Sequence, residues 1–205
     1  MIKQIQIYFL LFFIYSVLGW CMEVLNTIRA EKKYINRGFL ISPYCPIYGI
    51  GVLLITILLK KYENDILITF ILSILICGLL EYITSYVLEK IFHARWWDYS
   101  KRKFNINGRI CLENLLIFGI LGCLIIYILN PFLINIINNL PNIVLNIISV
   151  VLLIFNIVDI TISSNVIINL KDISKNIKNN IDFETLIENA KNKINSIKEK
   201  SLIKK

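Results

Sequence analysis

Glu23, Glu81, Glu89, Glu113 and Asp159 each fall within or at the end of a strongly apolar run. Arg37, Arg95 and Arg109 lie in the polar segments between such runs. An ionisable side chain in an apolar span costs about 2.5–3.5 kcal/mol to insert, so each of these needs a partner or a task. Glu–Arg contacts at the ends of the runs would relieve that desolvation. Arginines that converge beside helix N-termini could instead hold an anionic group, since backbone N–H groups and the helix dipole favour negative charge there. A deep carboxylate such as Glu23 or Glu81 beside such arginines could also act as a general base. The plain alternative for Glu89 and Glu113 is that they snorkel to water from the ends of their spans. Trp96 and Trp97 suit the aromatic belt at a membrane interface, and Asp98 is placed to pair with a neighbouring arginine.

The carboxylates are positioned by helices. Ser73, Cys77, Glu81, Ser85 and Glu89 recur at steps of four, which draws a small-and-polar ridge along one helix. Glu23 shares a face with Ser16, Gly19 and Thr27. Ser149, Asn156, Asp159 and Ser163 form a third stripe at spacings of seven, three and four. Lipid would not solvate such stripes, so they must face one another or water. Asp159 is a candidate buried partner for the other charged groups.

The 205 residues are 57% hydrophobic, with a mean hydropathy of +0.68. Soluble domains lie nearer 45–50% apolar. Five apolar runs stand out: Ile5 to about Thr27, about Pro43 to Leu59, Ile66 to Ile91, Leu112 to about Ile137, and Asn142 to Leu170. A bilayer takes about 20 residues of helix. The expected fold is an all-α polytopic membrane bundle of five transmembrane helices over residues 1–170, with motif loops at 28–42 and 92–111. In the second run Ser42 can cap and Pro43 suits the first helical position. Pro46, Gly49 and Gly51 follow at once, which points to a broken or re-entrant end.

Charge sets the orientation. With five spans, one side carries Lys3, Lys60 and Lys61, and the other carries the remaining 19 of the 22 basic residues. The positive-inside rule then places the N-terminus outside and both motif loops and the C-terminus in the cytoplasm. Residues 171–205 form a basic tail in which Phe183, Leu186, Ile187, Ala190, Ile194 and Ile197 recur at helical spacing, the pattern of an amphipathic helix. Anionic lipid is the natural partner of so basic a side. Nucleic acid is not, because no basic soluble face exists.

Several chemistries are excluded. No G-x-x-x-x-G-K-[ST] motif occurs, so the chain carries no P-loop. His93 is the only histidine, which rules out metal sites built on several His ligands. Five cysteines without a C-x-x-C read as reduced thiols. No metal, cofactor or catalytic residue is assigned.

The motifs Gly19-Trp20-x-x-Glu23, Asn36-Arg-Gly-Phe-Leu40 with Pro43-x-x-Pro-Ile-Tyr-Gly49, Arg95-Trp-Trp-Asp-Tyr-Ser100 and Asn107-x-Arg-Ile-Cys-Leu112 resemble, over about residues 8–125, the putative ABC-transporter type IV (CmpB-like) permease family. Ser42, Leu115 and Phe118 depart from its pattern. The resemblance implies a small multi-pass protein of the bacterial inner membrane, a permease-like subunit served by a separate ATPase; the residues themselves then place Glu23, Arg37, Glu81, Arg95, Asp98 and Arg109 along a cytoplasm-facing site. Trp96, Trp97, Glu89, Glu113 and Asp159 would support or couple to that site. An intramembrane enzyme acting on a lipid or amphiphile and a non-catalytic scaffold remain open alternatives, as does homo-oligomerisation.

Overall fold

A computed structural model of the chain describes residues 2–32, 34, 40–93 and 95–180. Helix α1 (Ile2–Glu31) has 30 residues, about 45 Å at 1.5 Å per residue. Helix α2 (Pro46–Leu58) has 13 and is prolonged by a 3₁₀ turn at Lys60–Tyr62. Helix α3 (Ile66–Phe92) has 27 residues. Asp65 caps it, accepting from the backbone N–H groups of Leu67 and Ile68 at 3.0 Å each. It ends where His93 turns left-handed (φ 55°) and its N–H closes on Glu89 O.

A two-stranded hairpin follows, β1 (Asn105–Ile106) against β2 (Ile110–Cys111), antiparallel, with Asn105 opposite Cys111. Helix α4 (Leu112–Leu124) leads through a π turn at Ile125–Leu129 into α5 (Asn130–Asn138), and together they make one apolar stretch. The π turn has a local cause. Pro131 cannot donate to the preceding turn, and the wider turn lets Asn130 N–H reach Ile125 O instead. Helix α6 (Asn142–Asn180) has 39 residues and continues past 170 without a break. Residues 1–164 form one compact unit and residues 165–205 a second. The apolar repeat expected from Phe183 to Ile197 lies outside the described residues.

Among the described residues four stretches are long and apolar enough to cross a membrane, and α2 is a further, shorter apolar helix. At about 20 Å, α2 falls short of the roughly 30 Å hydrocarbon layer. It starts three residues later than expected: Cys45 is the N-cap and Pro46, not Pro43, opens the helix. Ser42 does not cap it; its hydroxyl is drawn away to Asp159.

The distribution of side chains is that of a protein solvated by lipid. On α3 the buried positions are Thr69, Ser73, Gly78, Glu81 and Ser85, while Leu75, Leu79, Ile83 and Val87 face outward. Water would select the reverse. Lipid offers no reward for hiding leucine but penalises an exposed polar group, so polar and small residues turn inward. Helix α3 packs along α4 and against α2, and α1 lies along α2. The α1–α2 approach depends on Gly49, where a Cβ would stand 2.3 Å from Ser16 Oγ and 2.4 Å from Phe12 O. The apolar core collects Ile7, Leu10, Leu11 and Tyr15 of α1 with Val52, Ile137 and Leu145.

Candidate functional site

The segment after α3 folds back onto that helix. Its hairpin turns on Asn107 and Gly108, both at positive φ (53° and 67°), the type I′ pattern that Asn-Gly suits best. Arg109 N–H closes the turn on Ile106 O at 3.0 Å. Ahead of it, Asp98 Oδ1 accepts from Ser100 N–H at 2.9 Å and from the Ser100 hydroxyl at 2.5 Å, an Asx turn. These bonds, the hydroxyl's first, hold the Asp98 carboxyl below its usual range. Tyr99 N–H then reaches Gly108 O at 2.8 Å, joining the two turns, and Trp97 Nε1 donates to Arg109 O at 3.0 Å.

This hydrogen-bonded loop presents its side chains to the polar ridge of α3. Tyr99 donates its phenol to Glu81 Oε1 (3.1 Å). Arg109 donates to Ser85 Oγ (3.2 Å) and pairs with Glu89 Oε2 at 2.6 Å. Arg95 Nε lies 3.0 Å from Glu89 Oε1 and its NH1 3.8 Å from Asp98. The bond to Glu89 holds the Arg95 guanidinium more firmly protonated than usual. Asn107 Nδ2 donates to the Tyr82 hydroxyl at 2.9 Å. The Arg109 guanidinium stands 5.8 and 5.3 Å from the Tyr82 and Tyr86 ring centroids, within cation–π range. One more contact extends the cluster towards α1 and α2: Tyr48 of α2 donates to Glu23 Oε1 of α1 at 2.5 Å.

The arginines and the carboxylates therefore divide unevenly. Arg95 and Arg109 both serve Glu89, so that carboxylate is charge-compensated. Glu81, 7% exposed, and Glu23 receive tyrosine hydroxyls, which supply a hydrogen bond but no charge. Burial beside Glu81 pushes the Tyr99 phenol above the ordinary tyrosine range.

The other expected site residues are placed apart from this cluster. Glu113 pairs with Arg102 at 3.0 Å, both well exposed. Asp159 is buried and accepts from Ser42 at 2.8 Å, on a face of α6 where Asn156 donates to the Tyr44 hydroxyl and Ser163 accepts from Ile41 N–H. That stripe pins the segment leading into α2. Trp96 meets the Phe92 ring edge-on at 5.5 Å. Arg37 lies outside the described residues. Two hollows in the bundle are lined by Ile66, Leu67, Phe70, Ile120 and Cys123 and by Thr56, Lys60, Glu63 and Asn130 among others; none of the expected site residues borders either.

Sequence reasoning missed four participants. Tyr48 and Tyr99 enter that reading only as parts of motifs, and Tyr82 and Tyr86 not at all. A signal for the last two existed: each follows a ridge residue, Glu81 or Ser85, by one position, and they are i, i+4 neighbours. Asn107-Gly108 was likewise a hairpin signal. Among the described residues no group of three or more His, Cys, Asp or Glu is arranged to hold a metal ion, and all five cysteines are free.

No curated protein and no solved structure matches the chain. A family model does, over residues 10–164, so the match runs through the first unit and past the motif loops into α6. The chain belongs to the family described as "Putative ABC-transporter type IV".

Proposed function

We propose that the chain is a permease-like membrane subunit in which the 95–111 loop is a latch on the polar face of α3. In this reading the N-terminus is outside and both motif loops face the cytoplasm of a bacterial cell, as the 19-to-3 division of basic residues supports. Glu23, Arg37, Glu81, Arg95, Asp98 and Arg109 line the route that the latch covers. A separate ATPase supplies the energy, since the chain has no P-loop.

The observation that carries this reading is the Glu89–Arg95–Arg109 network. Together with the Tyr99–Glu81 and Asn107–Tyr82 hydrogen bonds it ties the loop to α3 through polar side chains. Contacts of this kind can exchange partners at modest cost, as a moving gate requires. An anionic solute could take Arg109 or Arg95 from Glu89 and so loosen the loop.

The test is purification of the tagged chain from native membranes in mild detergent, followed by reconstitution with whatever ATP-binding chain accompanies it. Co-purification and ATP-dependent solute movement, reduced by Arg109→Lys, are expected. Absence of both an ATPase and any solute flux overturns the proposal.

A second reading, a non-catalytic scaffold, draws support from the same pairing, because arginines already satisfied within the chain need no ligand. It predicts that Arg95→Ala and Arg109→Ala reduce thermal stability in step with any loss of phenotype. Loss of phenotype at unchanged stability excludes it.

A further inference from the structure

We propose that the buried carboxyl of Glu81 is a proton-binding site, with the proton carried on its Oε2. Charge balance is the first ground. Among the described residues the ion pairs are Glu89 with Arg95 and Arg109, Arg95 with Asp98, and Arg102 with Glu113. None of these pairs reaches Glu81, which lies within α3, and a buried carboxylate without a counter-charge is costly there.

The second ground is an orphaned atom. Glu81 is 7% exposed; its Oε1 accepts from Tyr99, while its Oε2 is buried and accepts no well-aligned hydrogen bond. Buried polar atoms are rarely left so. A proton arriving from water forms the Oε2–H bond, changes the group from −1 to neutral, and leaves Oε1 free to keep accepting from Tyr99. A metal cation is poorly served, as no cluster of three or more ligating residues stands here among the described residues.

The groups facing Glu81 are consistent with a site that neutralises by protonation. Tyr99 of the loop and the Asn114 amide of α4 are both neutral hydrogen-bonding groups directed at the same carboxyl. Glu23 of α1 lies within electrostatic reach, with Tyr48 and Cys45 beside it. Cys77 lies one turn away on α3, and Cys111 of β2 lies beside Tyr99. Every one of these is neutral or acidic, and the nearest ridge cation, Arg109, is engaged at Ser85 and Glu89.

Protonation also links the site to the loop. A charged Glu81 holds the Tyr99 phenol more strongly than a neutral one does, so proton uptake weakens one tie between the loop and α3. This goes beyond the transport reading, because the proton is held whether or not the chain moves a solute.

The test is infrared spectroscopy of the purified chain in lipid, following the C=O stretch of protonated carboxyl groups as pH is varied. Wild type is expected to keep one such band at neutral pH, where solvated carboxylates, with values near about 4, have none. The band should disappear in Glu81→Gln. If that variant does not fold, Tyr99→Phe takes its place and should move the band to higher frequency by removing the bond to Oε1. Absence of the band in wild type overturns the proposal. So does its survival in Glu81→Gln, its loss only in Asp159→Asn, or its indifference to Tyr99→Phe in a folded protein.

Discussion

Replacing Gly108 by alanine tests whether the hairpin is a built element or an incidental loop. The residue sits at φ +67°, and an added Cβ would stand 2.4 Å from Ser100 Oγ, 2.6 Å from Asp98 Oδ1 and 3.2 Å from Arg95 NH1. The left-handed backbone alone costs an L-residue about 1–2 kcal/mol. Relieving the contacts by moving the Asx turn adds an overpacking cost on the order of 1 kcal/mol. A total of about 2–3 kcal/mol corresponds to a fall in Tm of roughly 4–12 °C for a chain of this size. The assay is thermal unfolding in detergent followed by tryptophan fluorescence. Two of the three tryptophans, Trp96 and Trp97, flank the turn, so the emission reports on this loop. Asn107→Gly is the control: it keeps the left-handed backbone and loses only the bond to Tyr82, so its Tm should fall far less. A Gly108→Ala protein that melts within a degree of wild type would refute the reasoning, because neither the strain nor the clash could then be real.

Two further outcomes follow from the same geometry. Arg109→Ala should lower the Tm clearly more than Arg102→Ala, because Arg109 is 11% exposed against Glu89 whereas Arg102 and Glu113 are both more than 60% exposed; an exposed pair is worth about 0–1 kcal/mol, and equal effects in the two variants would contradict the placement of Arg109. Acid should loosen the loop through Asp98. Its carboxyl lies below the usual range in the folded protein, so its contribution is present above the unfolded value of about 3.9 and is lost as pH falls through the folded one. Wild type should therefore be more stable than Asp98→Asn at pH 6, and that advantage should shrink below about pH 4; a constant difference across that range would show that Asp98 does not titrate this contact.

Much of the frame was readable along the chain because a bilayer imposes one-dimensional rules. An apolar run of sufficient length is a span wherever it folds, and the four long stretches and short α2 follow from that. The ridge on α3 was readable for a related reason: Glu81, Ser85 and Glu89 share a face by helical spacing alone, and an apolar solvent obliges that face to turn inward. The start of α2 was less legible, since Ser42 and Pro43 carry the local signals of a helix start that Cys45 and Pro46 in fact make. Local propensity lost there to a long-range bond, Ser42 to Asp159 across 117 positions.

What the sequence determined by itself is the succession of apolar helices and which of their faces are polar. Only the tertiary structure decided who partners whom. Expectation set Glu–Arg contacts at the ends of the runs; among the described residues Arg95 and Arg109 both pair with Glu89, and Glu81 and Glu23 receive the hydroxyls of Tyr99 and Tyr48. Spacing along one helix says which side chains share a face. The reach of a side chain from a hairpin or a neighbouring helix depends on where a turn such as Asn107-Gly108 points the chain, and on which groups are already engaged when it arrives.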